Sequence, residues 1–133
     1  MPLVVPDSHR DLLDAETAVL ATIGPDGRPQ LSAVWFLGDG AELTLSLNAR
    51  RQKVRNLRVN PAVTLFILDP TRPTRYLEVR GDAELADDVD DAVAGRVEAK
   101  YDADLQSFAG EPGPRGVVTI HAARVNAIDL SDD

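Results

Sequence analysis

Residues 51–69 read RQKVRNLRVNPAVTLFILD, and the fold turns on how that stretch divides. Val54 and Leu57, three apart, give its first half one narrow apolar face among charged residues, as in a short surface helix. Asn60-Pro61 stops that helix, because proline disfavours the α conformation in the residue before it. From Ala62 to Asp69 the chain is an apolar run of strand length. A helix opening at Asn48, a good capping residue, therefore leads straight into a strand. The helix is also a charge anomaly. The chain holds 22 acidic and 14 basic residues, net −8, yet Arg50, Arg51, Lys53, Arg55 and Arg58 fall within nine consecutive positions. No acidic residue occurs between Glu42 and Asp69.

Working upstream, 17–23 (TAVLATI), 30–37 (QLSAVWFL) and 42–47 (ELTLSL) read as strands. The turn signals GPDGRP and GDG separate them. Leu43, Leu45 and Leu47 alternate with Thr44 and Ser46, so the three strands are expected to form an antiparallel meander. Before them, a helix is expected over about 8–17, with Ser8 as N-cap, Asp11 completing a capping box, and Leu12 and Leu13 inward. Downstream, YLEVRGDAEL (76–85) is a long alternating strand with a bulge at Gly81. The 86–105 segment spaces Val89, Val93, Val97, Tyr101 and Leu105 four apart, behind an acidic first turn that suits a helix N-terminus. The loop GEPGPRG precedes a last strand at 117–128. Six strands and two to three helices predict a mainly β (α+β) protein, a six-stranded antiparallel barrel with helices outside it.

Composition narrows the function. At 133 residues the chain is one domain (1–133) with room for a real core, and 44% hydrophobic content argues against disorder. The net negative charge opposes nucleic-acid binding and leaves room for a local basic site that takes a small anion. Absence of cysteine excludes disulfides and thiol chemistry, and two distant histidines, His9 and His121, do not make a metal site. No apolar run is long enough to span a bilayer and the start carries no signal-peptide pattern, so a cytoplasmic protein is expected.

The basic helix has a specific physical use. A helix N-terminus presents unpaired amides and a positive dipole end to a phosphate, and Arg or Lys in its first turn add charge-assisted hydrogen bonds. From the residues alone, a solvated basic face remains the other reading.

Taken in order, LATIGPDGRPQLSAVWFL, RRQKVRNLRVNPAVTLFILD and RYLEVRGDAEL resemble the FMN- and deazaflavin-binding split-barrel family related to pyridoxamine 5'-phosphate oxidase, over roughly residues 10–128. RQKVRNL with the following NP and apolar strand is the most specific part. The likeness is strongest to the short actinobacterial branch that uses the deazaflavin coenzyme F420, and the Arg-rich, Lys-poor composition fits such a genome. The resemblance implies a homodimer with cofactor in grooves where two barrels meet. It implies that Arg51 and Lys53 hold the cofactor phosphate, that Ser46, Leu47 and Asn48 contribute contacts before the helix, and that Asn56 supports the pocket. It places Ser32 and Val34 on the strand beside the cofactor ring, and Tyr76 where it reaches cofactor bound mainly to the other subunit.

Other signals have plainer readings. Trp35 suits core or dimer packing as well as it suits a place in the site. Glu78 and Arg80 read as a surface charge ladder, and His121 as a satisfied core or interface residue. Ser32 lacks a histidine–acid partner for hydrolase chemistry. The acidic ADDVDDA lacks the glycine turn of a calcium loop.

The implied activity is an F420-dependent oxidoreductase that passes hydride to an electron-poor small-molecule substrate, with no catalytic side chain identified, no metal, and no nucleic-acid or membrane partner. An FMN oxidoreductase of the same fold and a non-catalytic cofactor-binding protein are the alternatives. The chain ends at IDLSDD, without the substrate-binding segment of the pyridoxamine oxidases, so that reaction is not expected.

Overall fold

The computed structural model describes residues 4–38, 42–101 and 114–130. Its strands are β1 (Ala18–Ile23), β2 (Pro29–Val34), β3 (Leu37–Gly38), β4 (Leu43–Asn48), β5 (Ala62–Leu68), β6 (Arg75–Asp87) and β7 (Arg115–Asp129). Helices α1 (Gln52–Val59) and α2 (Ala92–Tyr101) follow β4 and β6, and 3-10 segments cover Asp7–Asp14 and Val89–Asp91. All pairings are antiparallel, in one seven-stranded sheet ordered β2-β1-β5-β6-β7-β4-β3.

The expected meander is replaced by a split. The 30–37 run is not one strand: it breaks after Val34 and resumes as the two-residue β3, the seventh strand beyond the expected six. β2 pairs with β1, and β4 pairs with β7 along its length and with β3 at Leu43 and Thr44 only. β2 thus starts the sheet order, while β4 and the short β3 end it. Phe36, at the break, is 0% exposed, and its backbone groups are satisfied off the ladder: its amide donates to the Tyr101 hydroxyl (3.3 Å) and its carbonyl accepts from Lys100 Nζ (2.8 Å).

Inside the β1–β2 turn Gly27 adopts φ 81, the left-handed conformation open to glycine, and its amide donates to the Gly24 carbonyl (2.9 Å). β6 and β7 form the longest pair, and their register shifts between Arg80 and Gly81, where the bulge was expected. A Cβ on Gly81 would lie 2.0 Å from the His121 carbonyl oxygen, so only glycine lets the strands approach there.

The helix boundaries differ from expectation at their caps. The N-terminal element is a 3-10 helix over Asp7–Asp14 with no side-chain cap. Ser8 Oγ pairs with His9 Nδ1 (2.8 Å), and Asp11 is taken by Arg75, so neither is free to build a capping box. Leu12 and Leu13 are buried as expected, and so is His9, whose Nε2 meets the Ile128 carbonyl (3.0 Å). Residues 86–87 of the expected 86–105 helix belong to β6. Asp88 then caps α2 by accepting from the amides of Val93 (2.9 Å) and Ala94 (2.8 Å). The stripe begins at Val93, since Val89 is exposed, and Leu105 falls outside the described residues, as does most of GEPGPRG. α2 packs Ala94 and Val97 against Trp35 and Leu37, which covers β4 from the second side and leaves Thr44 and Ser46 buried too.

Arg75 pins the N-terminal segment to the β5–β6 hairpin. Its guanidinium donates to Asp11, to Asp69 Oδ2 (2.9 Å) and to the Ser8 carbonyl (2.6 Å). Asp69 also accepts from the Thr71 amide and hydroxyl (both 2.9 Å).

Candidate functional site

A groove of about 620 Å³ occupies the seam between β2 and β4, closed at one end by the start of α1. Gln30, Ser32, Ala33, Val34 and Trp35 form one wall, Ser46, Leu47 and Asn48 the other, and Arg51, Gln52, Lys53 and Arg115 the cationic end. β2 lies at one end of the sheet order, and an edge strand carries unpaired amides and carbonyls, so that wall offers backbone hydrogen bonds to a ligand's rim. Among the described residues no carboxylate lines this groove.

The helix starts later than the sequence implies. Arg51, not Asn48, is the N-cap residue, with φ −68 and ψ 150. Asn48 is drawn into the preceding turn, where its Oδ1 accepts from the Arg50 amide (2.9 Å) and its carbonyl accepts from the Arg51 amide (3.0 Å). This offset places Arg51 directly at the groove, together with Gln52 and Lys53, whose amides a helix leaves without intrahelical acceptors. Arg55 instead donates to the Arg50 carbonyl (3.1 Å), and Arg58 is exposed near the helix C-terminus.

The cations crowd one another. Lys53 Nζ donates to Ser32 Oγ (3.2 Å). Burial holds its ammonium below the ordinary lysine value, and Arg51 pushes it further down. Burial also lowers Arg115, with Asp88, Asp91 and Glu98 opposing that shift and Arg51 adding to it. Like charges gathered in a partly desolvated groove raise the energy of the empty site, and an anion relieves it.

Behind the wall, Asn56 is 2% exposed and ties the site together. Its amide nitrogen donates to Thr22 Oγ1 (3.0 Å) and Gln30 Oε1 (2.8 Å), and its oxygen accepts from Gln52 Nε2 (2.7 Å). It lies outside the lining and holds two residues that line it. Trp35 lines the groove and stacks on Tyr101, centroids 4.4 Å apart and 5° from parallel. Behind that pair, Lys100 Nζ donates to the carbonyls of Leu13 (3.2 Å) and Phe36 (2.8 Å).

Of the residues named from sequence, Ser32, Val34, Ser46, Leu47, Asn48, Arg51 and Lys53 come together here. Tyr76 does not: it lies on β6, outside the groove, tilted against Phe66 at 5.1 Å. Arg80 pairs with Glu78 (3.0 Å), the expected surface ladder. His121 is an exposed partner of Glu84 (2.6 Å), not a core residue. Thr17, Gln52 and Arg115 were missed. Arg115 follows a glycine- and proline-rich stretch of sequence, 62 residues beyond Lys53, and no local pattern ties it to α1.

The groove fits a phosphorylated flavin-type group. Its volume lies within the roughly 300–1,000 Å³ of ligand clefts. One end is lined by Arg51, Lys53 and Arg115, and Val34, Trp35 and Leu47 give an apolar surface for a flat ring. Among the described residues no cluster of His, Cys, Asp or Glu could hold a metal, and no helix is long and apolar enough to cross a membrane.

A family model described as pyridoxamine 5'-phosphate oxidase matches residues 5–129. A solved structure named F420 reductase is 36% identical, with 92% of this chain and 98% of that one covered and a TM-score of 0.79. A conserved hypothetical protein from Mycobacterium tuberculosis is 28% identical over 96% of this chain and 87% of that one, TM-score 0.72. A Listeria innocua protein, 23% identical with 91% and 95% covered and TM-score 0.70, shares the fold.

Proposed function

The chain belongs to the pyridoxamine 5'-phosphate oxidase family, and on that premise we propose that its seam groove binds coenzyme F420 and that the protein is an F420-dependent oxidoreductase. The observation that carries the reading is the convergence of Arg51, Lys53 and Arg115 on one groove, lined by no carboxylate among the described residues, beside an apolar wall. FMN would present a similar phosphate to the same helix. The likeness to a protein named F420 reductase favours the deazaflavin.

Each part of the groove then has a task. Arg51 and Lys53, with the first amides of α1, bind the phosphate. Backbone groups on the edge of β2 fix the ring's rim, and Trp35 and Val34 keep water from one side of it. Bound there, the coenzyme would supply the hydride for an electron-poor organic acceptor such as an enone or quinone. Among the described residues no side chain lining the groove is a clear proton donor, so the proton that completes the reduction would come from solvent.

The same reading makes the protein a homodimer. Leu31 is 65% and Leu68 42% exposed, and Phe66 and Tyr76 lie on the same outer sheet face by register. A second copy packed there would bring Tyr76 towards its partner's groove.

Titrating the purified protein with coenzyme F420 and with FMN, followed by fluorescence, tests the reading. Micromolar binding of the deazaflavin with weak FMN binding is expected; the reverse order supports the FMN oxidoreductase instead. Tight F420 binding without oxidation of its reduced form by any of a broad acceptor panel identifies a cofactor-binding protein without turnover. Light scattering on the eluted protein tests the dimer.

A further inference from the structure

The two walls of the groove repeat one arrangement, a serine hydroxyl gripped by a cation. On β2, Ser32 Oγ accepts from Lys53. On β4, Ser46 Oγ accepts from Arg115 twice, through Nε (3.3 Å) and Nη2 (3.2 Å), while Nη2 also donates to the Ser46 carbonyl (2.8 Å). A serine hydroxyl has one proton and two lone pairs. Two guanidinium N–H groups fill both lone pairs of Ser46 Oγ, and its proton is then all the hydroxyl can offer. Among the described residues no acceptor takes that proton. Ser46 is 6% exposed and lines the groove, so bulk water is a poor substitute.

Arg115 is suited to this task. Among the described residues it forms no ion pair, and its side chain is committed to Ser46 by a fork of two nitrogens that lysine cannot copy. Asn48 is its cross-strand partner, which keeps the guanidinium on the groove side of the β4–β7 ladder.

We infer that Arg115 is a positioning residue that fixes the Ser46 hydroxyl as an obligate donor, and that the pair recognises an electron-rich, acceptor-only oxygen of the groove's ligand. This rests on the reading of the groove as a phosphorylated flavin-type site. Phosphate and ring carbonyl oxygens are such acceptors, and a ligand presenting N–H or O–H at that point would be rejected because it faces a second donor. Arg51 and Lys53 supply charge to the site; Ser46 supplies the direction of a hydrogen bond.

The test is a double-mutant cycle on cofactor affinity, with coenzyme F420 and FMN as fluorescence probes. Ser46→Ala and Arg115→Met should each weaken the preferred cofactor roughly tenfold, the effect of one lost hydrogen bond. The double variant should lose the same factor, not the product, because both changes remove one donor. Ser46→Thr keeps the hydroxyl and should restore binding. Arg115→Lys keeps the charge without the fork, and it should still bind more weakly than wild type. Thermal melts establish that each variant is folded, and Arg115→Lys carries the arginine arm if Arg115→Met is not. Unchanged affinity in a folded Ser46→Ala or Arg115→Lys variant, or multiplicative losses in the double variant, overturns the inference while leaving the site reading intact. A wild-type protein that binds neither cofactor overturns both.

Discussion

Replacing Lys53 by methionine separates binding from folding. Among the described residues the Lys53 ammonium has one hydrogen bond, to Ser32 Oγ. Against it stand partial burial of the ammonium and repulsion from Arg51, which together push its pKa down. A group whose pKa falls on folding opposes folding while it is charged, so at neutral pH Lys53 is a net cost to the apo protein. Methionine keeps the length and apolar stem, frees Ser32 to solvent in the groove, and removes the charge. Apo stability should therefore stay within about 1 kcal/mol of wild type or rise. Cofactor binding should suffer, because a charge-assisted hydrogen bond to phosphate contributes about 1.5–3 kcal/mol, or roughly 10- to 150-fold in Kd. Thermal melts and fluorescence titrations on the same preparations measure both. A variant that loses many degrees of Tm while keeping its Kd would show that Lys53 ties the helix to β2 and does not serve the ligand.

Other outcomes follow from the same structure. Asn56→Ala leaves Thr22, 0% exposed, without its partner and frees Gln30 and Gln52; chemical denaturation should show a loss of about 1–3 kcal/mol, and titration a weaker cofactor affinity. Gly81→Ala places a Cβ 2.0 Å from the His121 carbonyl oxygen, so the β6–β7 ladder must shift and stability should fall by roughly 1–3 kcal/mol; an unchanged melt refutes the close approach. Hydrogen bonds from Thr71, with Arg75 and Arg72 adding to them, lower Asp69 from the ordinary 3.8 to about 2. Its contribution is then fully present above about pH 4 and lost as pH falls towards 2, and Asp69→Asn should flatten that part of the acid-unfolding curve. Arg51→Ala combined with Lys53→Ala should weaken the cofactor by several kcal/mol, on the order of two charged hydrogen bonds, with unchanged affinity in a folded protein removing the phosphate site.

Most of the strands could be read along the chain because their signals are local. GPDGRP marks the β1–β2 turn, Asn60-Pro61 divides α1 from β5, and Gly81 marks the bulge, each within a few residues of the observed feature. The misreadings share one cause. The 30–37 run is apolar throughout, and nothing in it shows that the strand breaks after Val34 and Phe36 turns into the core. Likewise Ser8 and Asp11 spell a capping box, but Arg75, 64 residues beyond Asp11, claims that aspartate.

The site divides along the same line. Sequence alone determined the cationic end, because five basic residues within nine positions, with no acid near them in the chain, are a local fact, and it determined the two strand segments beside it. Only the tertiary structure decided that β2 and β4 face each other across an open seam, that Tyr76 lies outside it, and that Arg115 completes it by gripping Ser46. These are contacts across 69 residues or between strands that pair elsewhere, and their geometry is set by how the sheet curls around Phe36 and its neighbours, which no periodicity records.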